Sequence, residues 1–399
     1  MLRDPADRLD GDRILEESPG RLGFLLWRTA RDVTLLAVTP DGGRAALFAE
    51  GSPDDRLVLL ISADPPGRVS GPINELHAML SLPAHAGAEA VSLCCLEVAA
   101  WARDTGRPHT AVAFAQAGAV AAPTFADAAL FVGVCAHAAR QSARAETWLR
   151  RAVAVARRER NWAAYASALV ELGAVYEGRV NVPRAERLYR LALRAALRHH
   201  ERAERMRAAH ALFRMARANE DGAGAARFAL HAQLAAEPDR AGAAEVLLDL
   251  ARFWIETDEP KRACAALRRL VPALVIMEPA GHLTALALTA RARAAAGQPR
   301  IGSVAWRAAW VLLRNDGLPD SVRYAAAVDL ARAAQLEGDS NASSEAMRVA
   351  LRLASPADFL ALTAGVEEIR PLRKSRSVKL GPRRLHDQTI LGEINECEP

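Results

Sequence analysis

The sequence predicts an all-α protein, a solenoid of antiparallel helix pairs, and three observations carry that prediction. The stretch Asn161–Arg198 reads as two helices and a turn: Leu169, Leu172, Gly173 and Tyr176 share one helical face, and Ala185, Leu188, Tyr189, Ala192 and Leu193 share a second. A unit of two helices cannot bury such faces alone and needs copies on either side. The copies are present. Ala111, Ala145, Ala185, Ala225, Ala263, Gly302 and Ser343 recur at spacings of 34, 40, 40, 38, 39 and 41 residues. Finally, 51% of the residues are hydrophobic and only 5% aromatic, so the apolar mass is mostly alanine and leucine, which suits close-packed helices.

Taken in order, residues 1–18 form a polar lead-in, and Ser18–Pro19 start a helix that runs to about Thr39 through Leu22, Leu25, Leu26, Ala30, Val33 and Leu36. Pro40 to Gly43 make a turn, and Arg44–Phe48 read as a short helix. Ser52–Pro53 start another element through Ala63, in which Arg56–Ser62 is short and branched enough to be a strand instead. Pro65 to Gly71 break the chain, and Pro72–Leu82 are helical. This part, residues 1–86, is off the repeat period and reads as a helical cap or small helical module.

Seven repeat units then cover about residues 87 to 355. The first helix of each carries a paired signature at Val98–Ala99, Val132–Gly133, Leu172–Gly173, Leu212–Phe213, Leu250–Ala251, Thr289–Ala290 and Leu330–Ala331. Small residues there let two backbones approach, and the large ones beside them fill the space to the next unit. Pro238, Pro260, Pro279, Pro299 and Pro319 fall at the expected turns. The sixth unit is the weakest, with Arg293 at a packed position and Gly302 at the start of its second helix, which suggests an irregularity or hinge. Ala357–Ile369 reads as a capping helix that closes the solenoid at residue 369. The tail at 370–399 is basic from Arg370 to Arg384 and acidic after His386.

This pattern resembles the tetratricopeptide repeat family. The third unit matches best, at Leu172, Gly173, Tyr176, Ala185, Tyr189 and Ala192. Only the step from Ala111 to Ala145 has the family's short period of about 34 residues, so the chain resembles extended members with units of 38 to 41 residues. The resemblance implies a right-handed superhelical solenoid whose first helices line a concave groove. HEAT-like repeats share the longer period, while the turn and strand signatures of ankyrin and leucine-rich repeats are absent.

Composition excludes several functions. Of 52 basic residues only Lys261, Lys374 and Lys379 are lysine, a bias that fits a GC-rich bacterial genome better than a set of chosen guanidinium sites. The net charge of +5 is mild. Cys94, Cys95, Cys135 and Cys264 lie within helical patterns as small hydrophobes, and with Cys397 the count is odd and no C-x-x-C occurs, so the chain reads as cytoplasmic. It has no signal-peptide core and no apolar run long enough to span a membrane. There is no zinc spacing, nucleophile elbow or lysine-bearing phosphate loop, so neither enzyme, metal nor cofactor is expected. A chemical role would have to reside in residues 1–86 around His77. The basic run from Arg370 lacks interleaved aromatics, so nucleic acid is not expected as the partner.

The expected function is that of a non-catalytic scaffold binding a protein or peptide in its groove. A sensor subunit that takes a small molecule or peptide is the alternative. In the family's register, one groove position carries Ala100, Val134 and Ala174 in early units and Arg214, Arg252, Arg291 and Arg332 in later ones. The four arginines form a basic end suited to an acidic peptide, and Leu130 and Phe131 an apolar end. Against this, Asp249 and Asp329 stand three residues before Arg252 and Arg332, at ion-pair spacing.

Overall fold

A computed structural model describes residues 11–48, 53–237, 242–274 and 277–355. All regular structure among them is helical. The chain divides into two compact units, Met1–Met215 and Ala216–Pro399. The capping helix expected over Ala357–Ile369 and the tail at 370–399 lie outside the described residues.

The first unit opens with α1 (Gly11–Glu17), α2 (Arg21–Val38), a single turn α3 (Asp41–Arg44), α4 (Pro53–Ala63) and α5 (Gly67–Ser81). The lead-in is therefore partly helical: Ile14 of α1 is fully buried. Arg56–Ser62 belongs to α4 and is not a strand, because Arg56 and Leu60, one turn apart, both face inward. Pro72 does not start α5 but lies inside it, buried, at the cost of one backbone donor. Helix pairs follow as α6 (Ala88–Asp104) with α7 (Pro108–Ala121), α8 (Ala126–Ala138) with α9 (Ser142–Arg158), and α10 (Trp162–Gly178) with α11 (Val182–Arg198). The next helix, α12 (Arg202–Ala218), runs across the division between units. Within the first unit α2 packs on α7 and α5 on α6, so the N-terminal helices cover the first pair.

The second unit holds α13 (Gly222–Ala235), α14 (Ala243–Glu256) with α15 (Pro260–Leu270), α16 (Pro279–Ala295) with α17 (Pro299–Leu313), and α18 (Asp320–Leu336) with α19 (Ser340–Leu353). Its last two pairs share a core of Leu283, Ala287, Ala290, Ala309, Leu313, Leu330 and Ala346. Gly302 is buried, and a Cβ there would meet Glu337 Oε1 at 2.6 Å and the Ala290 carbonyl oxygen at 3.4 Å. The Glu337 carboxylate ends a flexible side chain and can move aside, and the backbone of α16 stands at ordinary van der Waals distance, so a small residue suffices here.

The recurring small residue occupies one structural place. Ala111, Ala145, Ala185, Ala225, Ala263, Gly302 and Ser343 are each the fourth residue of a second helix. The backbone N–H of each donates to the carbonyl of that helix's N-cap residue, the first closed turn of the helix. The turns between helices also repeat. The residue before each N-cap takes a left-handed conformation at Gly106, Gly297 and Gly338, and equally at Arg140, Arg160, Val180, His200, Glu220 and Asp258. Its N–H and that of the following residue close back onto the preceding helix, as Val180 does to the Glu177 carbonyl and Asn181 to that of Tyr176, at 2.9 Å each. Asn181 then caps α11 through its side chain, which accepts from the Arg184 N–H.

The signature pairs sit where these helices touch. A Cβ on Gly133 would lie 2.4 Å from Leu149 Cγ, and one on Gly173 2.5 Å from Tyr189 Cε1. In α8/α9 and α10/α11 a large residue of the second helix thus fills the space left by a glycine of the first.

Candidate functional site

Within the first unit, α6 and α8 present parallel stripes beside their packed faces. Leu93, Leu96, Glu97, Ala100 and Arg103 come from α6, and Asp127, Leu130, Phe131 and Val134 from α8. The spacing of three and four keeps each set on one side of its helix. With Glu171 of α10 and Arg207 of α12 they line a cavity of about 510 Å³. Its floor is aliphatic and aromatic, and Leu93 remains 51% exposed. Ala100 leaves the space open where a longer side chain would fill it.

The charged groups on this lining are unequally engaged. Arg103 stacks over the Phe131 ring at 5.2 Å and pairs with Asp104 at 3.1 Å. Arg207 pairs with Glu171 and donates to Ser167 Oγ at 3.2 Å. Asp127 accepts only from the neutral Asn161 amide, at 3.2 Å. Glu97 is exposed and has no hydrogen-bond or ion-pair partner among the described residues. Cys135 of α8 is buried, and burial pushes its thiol up to about 12.

Of the residues selected from sequence, Leu130 and Phe131 line this cavity. The four arginines do not share one environment. Arg214 lies in the first unit, where it donates to Glu177 Oε2 at 3.3 Å, an oxygen that also accepts from Tyr189 at 2.7 Å. In the second unit, Arg291 is largely buried and pairs with Asp329 at 2.7 Å. Arg252 is half-buried and Arg332 exposed, and neither makes an ion pair among the described residues. Asp329 thus pairs with Arg291 and not with Arg332 three residues on. Asp249 lies 3.9 Å from Arg217. The spacing within one helix is outcompeted because the first helix of the preceding pair sets an oppositely charged group against the carboxylate.

Sequence reasoning missed a buried knot among α2, α4 and α5. Asp32 and Arg56, 1% and 3% exposed, pair at 3.2 Å. Arg56 also donates to the Leu80 carbonyl at 3.1 Å, and its guanidinium lies over the Phe48 ring at 4.2 Å. His77 is buried nearby, and burial, then the charges of Arg56 and Arg28, hold its pKa down to about 4. These groups hold one another in the interior and do not form an open site. Also missed was Glu17, whose carboxylate accepts from the N–H groups of His109 and Thr110 at 2.7 and 2.8 Å and so caps α7 from a distant part of the chain. Neither charge sits in a recognisable motif, so only the tertiary fold reveals them.

Among the described residues no group of three His, Cys, Asp or Glu side chains is placed to hold a metal ion, and no helix is long and apolar enough to cross a membrane. No family model matches the chain, and no curated protein matches it. Among solved structures, the apo form of the quorum sensor NprR from B. thuringiensis is similar over 77% of this chain and 84% of that one, at 12% identity and a TM-score of 0.44.

Proposed function

We propose that this chain is a non-catalytic helical-repeat protein whose first unit binds a peptide segment of a partner in the groove of α6 and α8. One observation carries the reading: the half-exposed apolar stripes of two successive first helices line an open cavity of about 510 Å³, within the range of roughly 300–1,000 Å³ usual for ligand sites. In this reading the helix pairs form a tetratricopeptide-like solenoid, the N-terminal part (1–86) serves as its cap, and the protein works in the cytoplasm. The basic surface for an acidic ligand is narrowed to Arg252 and Arg332, since Arg214 and Arg291 already hold carboxylates.

The test is selection of displayed peptides on the purified chain, followed by affinity measurement with Ala100→Trp, which fills the cavity. Selected peptides should lose at least tenfold in affinity for the variant while its circular dichroism is unchanged. Peptides that bind both proteins equally would place recognition elsewhere.

A further inference from the structure

The groove's two unneutralised carboxylates identify what an occupant must carry. The repeat register provides an internal comparison. Glu97 and Glu171 each immediately precede the signature residue of their helix, Val98 and Leu172. Asp127 and Arg207 each stand five residues before theirs, Val132 and Leu212. At the step from α10 to α12, Glu171 and Arg207 form an ion pair across the two helices. At the step from α8 to α10 the same two positions are neutral, Phe131 and Ser167. At the step from α6 to α8 they are Glu97 and Asp127, two carboxylates lining one cavity. The place where a neighbouring step holds a cation thus holds none here. The guanidiniums within reach are engaged, Arg103 by Asp104 and Phe131, and Arg207 by Glu171.

We infer that the groove binds a peptide bearing a lysine or arginine side chain between Glu97 and Asp127, flanked by apolar side chains over Leu93, Leu96 and Leu130. This inference rests on the peptide-binding reading of the groove. The cation of the occupant takes the role that Arg207 plays one step along, where charge-assisted hydrogen bonds to carboxylates are stronger than neutral ones. Both carboxylates are exposed in the free chain, so the attraction strengthens only as the occupant's apolar side chains exclude water from them. The aliphatic stem of lysine or arginine lies against the same leucines that receive the neighbouring apolar residues. An acidic segment is disfavoured by like charge.

The experiment uses a displayed library of random nonapeptides selected against the full chain, with fluorescence anisotropy on the recovered peptides. Two charge variants keep the fold: Glu97→Gln with Asp127→Asn, which preserves shape, and Asp127→Arg, which recreates the pairing of Glu171 with Arg207. The recovered peptides should carry a basic residue flanked by apolar ones, and affinity should fall about tenfold or more on either charge variant. Replacing the peptide's basic residue by norleucine should cost a similar factor on the native chain and nothing further on Glu97→Gln/Asp127→Asn. Peptides that depend on Ala100 but show no basic residue and no response to the charge variants would overturn this inference and leave the groove reading standing. Peptides indifferent to Ala100→Trp would overturn the groove reading itself.

Discussion

Tyr189 of α11 lies across Gly173 of α10 so closely that a Cβ on the glycine would sit 2.5 Å from the ring. The ring cannot retreat freely, because its hydroxyl donates to Glu177 Oε2 at 2.7 Å and the residue is only 1% exposed. An alanine in mid-helix gains about 1 kcal/mol over glycine, and overpacking costs about 1–3 kcal/mol. Gly173→Ala is therefore expected to destabilise the protein by up to about 2 kcal/mol. Gly178, the last residue of the same helix, has nothing within 4 Å of its Cβ position, and Gly178→Ala should stabilise by about 0.5 kcal/mol. Urea denaturation of the two variants should give midpoints on opposite sides of the native value. Equal shifts would mean that helix propensity alone governs both.

Val180 is a β-branched residue at φ 59° and 83% exposed. Left-handed backbone is an outlier for such a side chain, and nothing in its surroundings compensates. Val180→Gly should raise stability by about 1 kcal/mol, since relief of the strain exceeds the added freedom of the unfolded chain. Differential scanning calorimetry should show a higher Tm, and a lower one would show that the valine packs in a way that outweighs its backbone cost.

Glu17 joins the N-terminal segment to the repeats. Its two carboxylate oxygens accept from the first N–H groups of α7 and from the Thr110 hydroxyl. Removing a helix cap costs about 0.5–2 kcal/mol, and a charged one lies toward the upper end. Glu17→Ala should cost about that amount and speed hydrogen exchange at the His109 and Thr110 amides ahead of the rest of α7. Unchanged exchange at those two amides would show that the cap is not formed in solution.

His77 makes stability pH-dependent in a defined direction. Burial and the neighbouring Arg56 and Arg28 hold its folded pKa at about 4, against an ordinary value of 6.5, with Asp32 the carboxylate that opposes them. Between these values the unfolded chain binds more protons than the folded one, so stability rises with pH there and is lost as pH falls from 6.5 towards 4. The full effect approaches about 3 kcal/mol. His77→Gln should flatten this part of the pH–stability curve. A slope that survives the substitution would assign it to the carboxylates.

The helix pairs were legible because their signal is local and repeated: each small residue from Ala111 to Ser343 falls at the fourth position of a second helix. The turns were harder, since six left-handed residues, among them Arg140, Val180 and Asp258, are not glycine and carry no mark in the sequence. The surroundings of Gly302 were hidden for a related reason, because Glu337 and Ala290 lie outside its own helix. Leu130 and Phe131 line the cavity between α6 and α8, whereas the engagement of Arg214 and Arg291 depended on Glu177 and Asp329 in neighbouring pairs. Local pattern gives the repeat, and pairing across repeats decides which charges stay available.

The pair of Arg291 with Asp329 shows how that decision can be measured. The two side chains are 15% and 10% exposed and meet at 2.7 Å between α16 and α18. Removing one partner strands the other charge in a poorly solvated place, which costs about 3–5 kcal/mol when burial is complete and less here. Arg291→Ala and Asp329→Ala should each cost about 2 kcal/mol, and the double variant much less than their sum. Arg332→Ala, at an exposed side chain without an ion pair among the described residues, should stay within about 0.5 kcal/mol. A denaturant double-mutant cycle separates these cases. Strong coupling assigns Arg291 to the structure and leaves Arg252 and Arg332 as the two of the four selected arginines without an ion pair among the described residues. Additive losses at Arg291 and Asp329 would return Arg291 to the set of groups available for binding.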